Sequence, residues 1–174
     1  RISIINTLTD EVTTNLTVGD NPKDFVVDKN GMVWVLCSGN IAYDTHYNIT
    51  SQTTSMLMMI NPSNNCIEKT INLSETFHPS HLEINPAKDI LYYGGDFGIA
   101  GIFSVSITAT DKATSPLIDE YFYGFNVDPS SGVIFELQAP SYTSAGTLKR
   151  YSSTGSLIST SSVGIVPNGA YFAD

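Results

Sequence analysis

Apolar residues along the chain come in short runs separated by turn-forming residues, and no window places them at helical spacing. The clearest pair of runs lies in residues 19–37. Gly19 and Asn21-Pro22 open it, and Phe25-Val26-Val27 predicts a short buried strand. Asp28-Lys29-Asn30-Gly31 predicts a tight turn, and Met32-Val33-Trp34-Val35-Leu36 a second strand. Pro22 fixes its own φ and predicts an extended Asn21. Asn30-Gly31 predicts the positive φ values of a hairpin turn. β-Branched and aromatic runs of this kind mark strands covered on both faces.

The same unit recurs. His78-Pro79 leads into Leu82-Glu83-Ile84-Asn85, a turn at Pro86 to Asp89, and Ile90-Leu91-Tyr92-Tyr93. Tyr123-Gly124 leads into Phe125-Asn126-Val127-Asp128, a turn at Pro129 to Gly132, and Val133-Ile134-Phe135. Pro167 leads into a last strand, Tyr171 to Asp174. Phe25, Leu82, Phe125 and Tyr171 are thus 57, 43 and 46 residues apart. A second hairpin sits between these units, and its markers Ile5, Ile60, Val105 and Tyr151 are 55, 45 and 46 apart. Two independent markers with one period in the forties, and four strands per unit, predict an all-β β-propeller. On this reading residues 1–18 are a partial blade, 19–73, 77–118 and 122–160 are whole blades, and 165–174 start a further one. The chain is then about half of a seven- or eight-bladed propeller.

Charge narrows the partners. A formal net charge of −9 with only eight Lys and Arg argues against nucleic acid or an anionic membrane surface. No segment reaches the length of a transmembrane helix, and no signal peptide or initiator Met is present. Arg1 and Asp174 both fall inside strand units, so the ends are expected to be cut from something longer. An open half would leave Ile2, Ile4, Ile5 and Phe172 in water, with unpaired strand edges. The missing half of the propeller, or a second copy completing a ring, is therefore expected to cover them, with a nicked full ring the favoured case.

The pattern of Pro, a short apolar strand ending in Asp or Asn, a Gly turn and a strand like Val33-Trp34-Val35-Leu36 resembles the YVTN-type propeller repeat. Met59-Ile60-Asn61-Pro62 matches the rest of that repeat. The whole chain looks like the surface-lipoprotein propellers grouped as DUF5074, some of whose relatives capture cobalamin. The resemblance implies an extracellular or outer-membrane location, lipid-anchored in a full-length protein, although the family's lipidated cysteine is absent here. Its motifs specify blades and no chemistry.

Strands that run up and down a blade sort the loops by end. The entries to the first hairpin of each unit share one end with the insertion 38–55 and the loop 94–101. That end gathers all three histidines, His46, His78 and His81, with Tyr43, Asp44, Tyr47, Asp96, Phe97 and Tyr123. Aromatic faces and imidazoles beside a channel suit ring systems or sugars. The predicted ligand-binding residues are His46, Tyr47, His78, His81, Asp96 and Tyr123, for a small molecule, cobalamin-like or a glycan. Blander roles compete. His78 also suits a strand entry before Pro79, and His78 with His81 is a weak metal pair without a third ligand. Trp34 reads as a packing residue, alternate residues of Tyr121-Phe122-Tyr123 belong to the core, and Asp28, Asn85 and Asp128 read as acceptors for turn amides. No nucleophile elbow, phosphate loop or HExxH occurs. The chain is therefore expected to be non-enzymatic, without catalytic residues, metal or cofactor. A protein-binding scaffold and a metal-dependent, lactonase-like hydrolase remain as alternatives. Cys37 and Cys66 are expected at opposite ends of a strand and hence unbonded.

Overall fold

The computed structural model describes residues 1–96 and 99–173. Every regular element in them is a β-strand. In chain order these are β1 (Ile2–Asn6), β2 (Glu11–Leu16), β3 (Pro22–Val27), β4 (Val33–Cys37), β5 (Ile41–Tyr43), β6 (Ile49–Gln52), β7 (Ser55–Asn61), β8 (Cys66–Ser74) and β9 (His81–Ile84). They continue as β10 (Ile90–Asp96), β11 (Ile99–Ser106), β12 (Gly124–Val127), β13 (Ile134–Gln138), β14 (Ala145–Tyr151) and β15 (Leu157–Ile165). The chain forms two compact units, Arg1–Ser80 with Thr110–Lys112, and the remainder from His81 onward.

In the first unit a four-stranded antiparallel sheet runs in the order β3-β4-β7-β8, with β1-β2 and β5-β6 as separate hairpins. The alternation of Val33, Val35, Met58 and Ile60 puts their side chains on one face, where Ile2, Leu16 and Val18 pack against them. Trp34 and Leu36, both fully buried, alternate with them. Trp34 is the packing residue its setting predicts, and its indole also donates to Asp28 Oδ2 at 3.0 Å.

The turns follow the side chains, with two departures from expectation. Asp28 Oδ1 accepts the amides of Asn30 at 2.8 Å and Met32 at 3.1 Å. Asn85 and Asp128 cap their own turns in the same way. Of Asn30-Gly31 only Gly31 has a positive φ, 78°, because the Asp28 carbonyl takes the Gly31 amide in a type I turn that ends in one left-handed residue. Asn21 is not extended: its φ is 53°. Asn tolerates that region, and the conformation lets its carbonyl accept the Ser38 amide at 3.0 Å.

In the second unit β11-β10-β9 form one sheet, extended by a single bridge from Ile102 to Ile118, and β12-β13-β14-β15 form another. The two sheets share a core of Tyr92, Ile102, Ile118, Phe125, Val127, Ile134 and Tyr151. The expected loop 94–101 is a hairpin whose strands run to Asp96 and Ile99. The expected strand at 171–174 is not one in the described residues through Ala173. A lone extended segment has no neighbour to take its amides. It is held instead by the Ala170 amide donating to Asn126 Oδ1 at 2.7 Å, and by Phe172 edge-on to Phe135.

Both cysteines are free thiols. Cys37 sits opposite Met56 and Cys66 opposite Asn61, so the length of β7, about 17 Å, separates them. Cys37 is buried and its thiol is pushed up by that burial, whereas Cys66 is exposed.

Candidate functional site

The insertion between β4 and β7 is polar and shows no clean alternation, yet it folds as the β5-β6 hairpin, with Ile41 opposite Gln52 and Tyr43 opposite Ile49. Its tip is tied by one carboxylate. Asp44 Oδ1 accepts the amides of His46 at 2.7 Å and Asn48 at 2.9 Å, and Oδ2 accepts the Asn48 side chain at 3.0 Å. These bonds, the Asn48 side chain first, hold the Asp44 carboxyl below its usual range. The Tyr47 amide returns to the Asp44 carbonyl, leaving Tyr47 at φ 63°. A bulky residue in that region is strained unless its surroundings impose it. The result is a fixed turn with Tyr47 88 % exposed, flanked by exposed Tyr43, His46 and Ile49.

The base of the hairpin is fixed by His78. Its Nδ1 meets the Ser38 carbonyl at 2.6 Å and its Nε2 meets Gln52 Oε1 at 2.9 Å. Asn40 and Thr53 exchange two further bonds beside it. Gly39 makes this close approach possible: with φ at 74°, a Cβ there would stand 2.3 Å from the Thr53 carbonyl. His78 is therefore a strut of the insertion, with both ring nitrogens engaged in the fold.

The other predicted residues belong to the second unit. His81 opens β9, and its half-buried ring lies 5.9 Å from that of Phe125. Tyr123 precedes β12, donates its amide to the Leu137 carbonyl at 2.7 Å, and leaves its side chain exposed. Phe122 next to it packs edge-on against Phe125, as alternation requires. Asp96 closes β10, and Phe97 lies outside the described residues. Among the described residues no group of three or more His, Cys, Asp or Glu side chains could hold a metal ion.

Sequence reasoning passed over Glu136. It lies in β13 opposite Lys149 and Phe125, is 0 % exposed, and neither carboxylate oxygen has a hydrogen-bond partner among the described residues. Burial pushes its carboxyl up to about 7, while Gln138, Lys149 and Tyr151 pull it back and Glu120 adds to the rise. Lys149 spends its charge on Glu120, at 3.0 Å. Burial first, then the Glu136 carboxylate, raises the Tyr151 hydroxyl above its ordinary value. The one signal in the sequence is position: Glu136 shares a strand face with Ile134.

No family model and no curated protein matches the chain. Solved structures do. Hydrazine synthase of Kuenenia stuttgartiensis superposes with a TM-score of 0.69 at 14% identity, over 93% of this chain and 43% of that one. A quinoprotein alcohol dehydrogenase-like protein of Bacteroides thetaiotaomicron gives 0.58 at 17% identity, over 80% and 33%. A gluconolactonase of Xanthomonas campestris gives 0.55 at 16% identity, over 88% and 51%. The chain thus spans about half or less of each neighbour. These neighbours also overturn the expectation of a non-enzymatic protein, since two of them are named for enzymes and the fold gives no ground for setting catalysis aside. Sheets of three and four antiparallel strands, together with these neighbours, give the fold as a β-propeller.

Proposed function

We propose that this chain captures a ring-bearing small molecule, a glycan or a corrinoid, and that the β5-β6 hairpin is the capturing element. The observation that supports this is an ordered hairpin with its apolar and aromatic groups turned to solvent: Tyr47 at 88 %, Tyr43 and Ile49 each at 54 %. Rigid aromatics stack on rings at little entropic cost, and the Asp44 turn and the His78 strut have already fixed the backbone. His46 at the tip adds a polar group able to bond a hydroxyl. Capture is the first step for a carrier and for an enzyme alike. The DUF5074-like surface location, lipid-anchored in a longer protein, belongs to the same proposal.

The test is a glycan array and a cobalamin titration on the purified chain, repeated with Tyr43→Ala/Tyr47→Ala. Both rings are exposed, so melting should be unchanged while binding to any positive ligand falls by about tenfold or more. A ligand held equally well by the double variant would place capture elsewhere.

A further inference from the structure

We propose that Cys37, Met56 and Met58 form a binding site for a soft monovalent cation, Cu(I), on one face of the β4-β7 ladder. Cys37 stands opposite Met56, and Met58, two residues further along β7, stands opposite Val35. Side chains two apart share a face of a sheet, so the three sulfurs project to the same side, where Ile2, Leu16 and Val18 also pack. Cys37 Sγ lies 4.0 Å from Met58 Sδ. The Gly19 backbone closes in on the same spot, its amide donating to Met58 Sδ at 3.2 Å. A Cβ at Gly19 would stand 2.7 Å from Met56 Sδ and 3.0 Å from the Cys37 Cβ, so a side chain there would push Met56 aside.

Packing alone does not call for sulfur here. Phe25, Val35 and Met58 are aligned across three strands, and Phe125, Glu136 and Lys149 are aligned the same way in the repeat. Two residues further on, Cys37 opposite Met56 corresponds to Gln138 opposite Thr147. The equivalent three places therefore hold Gln138, Thr147 and Lys149. The chain has four methionines and two cysteines, so half of its sulfur meets at one point.

The donors select the ion. Thiolate and thioether sulfur are soft and favour Cu(I) over harder ions. A first-row metal about 2.3 Å from each of two sulfurs, with about 120° between them, holds those sulfurs about 4 Å apart. Cys37 and Met58 already have that separation. Charge then distinguishes Cu(I) from divalent metals. On binding, the Cys37 S–H bond breaks, its proton leaves to solvent and a Cu–S bond forms, with the copper remaining Cu(I). One thiolate, two neutral thioethers and one monovalent cation sum to zero, which an apolar setting accepts. A divalent ion would leave a net positive charge among Leu16, Val35 and Ile60. Cys37 is 0 % exposed and Met58 8 %, so the half-buried Met56 is the way in.

The experiment titrates Cu(I), buffered by bicinchoninate under anaerobic conditions, into the chain carrying Cys66→Ser, which removes the exposed thiol as a competitor. One equivalent should be held. The methyl signals of Met56 and Met58 should shift while those of Met32 and Met59 stay in place. Met56→Leu and Met58→Leu conserve volume and should each weaken binding about tenfold or more, while Cys37→Ser should abolish it. Zn(II) should not be retained. No uptake of Cu(I), methyl signals that stay still, binding undiminished in both leucine variants, or Zn(II) held as well as Cu(I) overturns the proposal. If Cys37→Ser fails to fold, the leucine variants decide alone. The sulfur site shares no residue with the β5-β6 hairpin and stands or falls apart from capture there.

Discussion

Glu136→Gln should flatten the pH dependence of stability in the second unit. The buried carboxyl has an ordinary value of 4.5 and is raised to about 7 in the fold. The folded form therefore holds its proton more tightly than the unfolded chain does. Its contribution is complete below the unfolded value of about 4.5 and is lost as pH rises through about 7, since burial penalises the ion by more than Gln138, Lys149 and Tyr151 favour it. At about 1.4 kcal/mol for each pH unit, that interval is worth about 3 kcal/mol. Glutamine keeps the shape and never ionises, so the variant should be roughly level with the parent at pH 5 and about 2 kcal/mol more stable at pH 8, its unpaired amide costing about 1 kcal/mol. Urea unfolding at the two pH values measures this. It should be followed by NMR signals of β13 amides, because the lone Trp34 reports on the other unit. Parallel stability curves for parent and variant, or a side-chain titration of Glu136 below pH 5, would refute the reasoning.

His78→Ala removes two bonds at the base of β5-β6 and should cost about 1–3 kcal/mol, with faster exchange at the Asn40 and Thr53 amides; exchange rates equal to the parent's would contradict the strut. Asp28→Ala strips the buried Trp34 indole and two turn amides of their acceptor, and should cost about 2–4 kcal/mol in urea unfolding read by Trp34 fluorescence. A loss under about 0.5 kcal/mol would mean the turn holds without it.

Much of the strand structure was legible because each strand carries its own punctuation. Asp28, Asn85 and Asp128 act within their own turns, so local sequence suffices for them. The insertion was harder: Ser38 to Ser55 has no apolar alternation, and its hairpin depends on Asp44 within it and on His78, 26 residues beyond Gln52. Residues 171–174 read as a strand by their repeat, but a strand needs a partner, which no local pattern supplies. Glu136 shows the converse. One carboxylate in a strand reads as the solvent side, and only its place in the sheet, between Phe125 and Lys149 on the neighbouring strands, makes it buried.

The two thiols give the chain a natural handle. Thiolate is the reacting form, and burial keeps Cys37 protonated and out of reach while Cys66 stands in water. A maleimide dye at neutral pH should therefore settle on one position without any engineered substitution. That position follows Asn65, which borders an apolar groove of about 540 Å³ lined by Ile2, Phe25 and Val33 among others. A fluorophore there would report how wet that groove is, turning the chain into a sensor of its own surface.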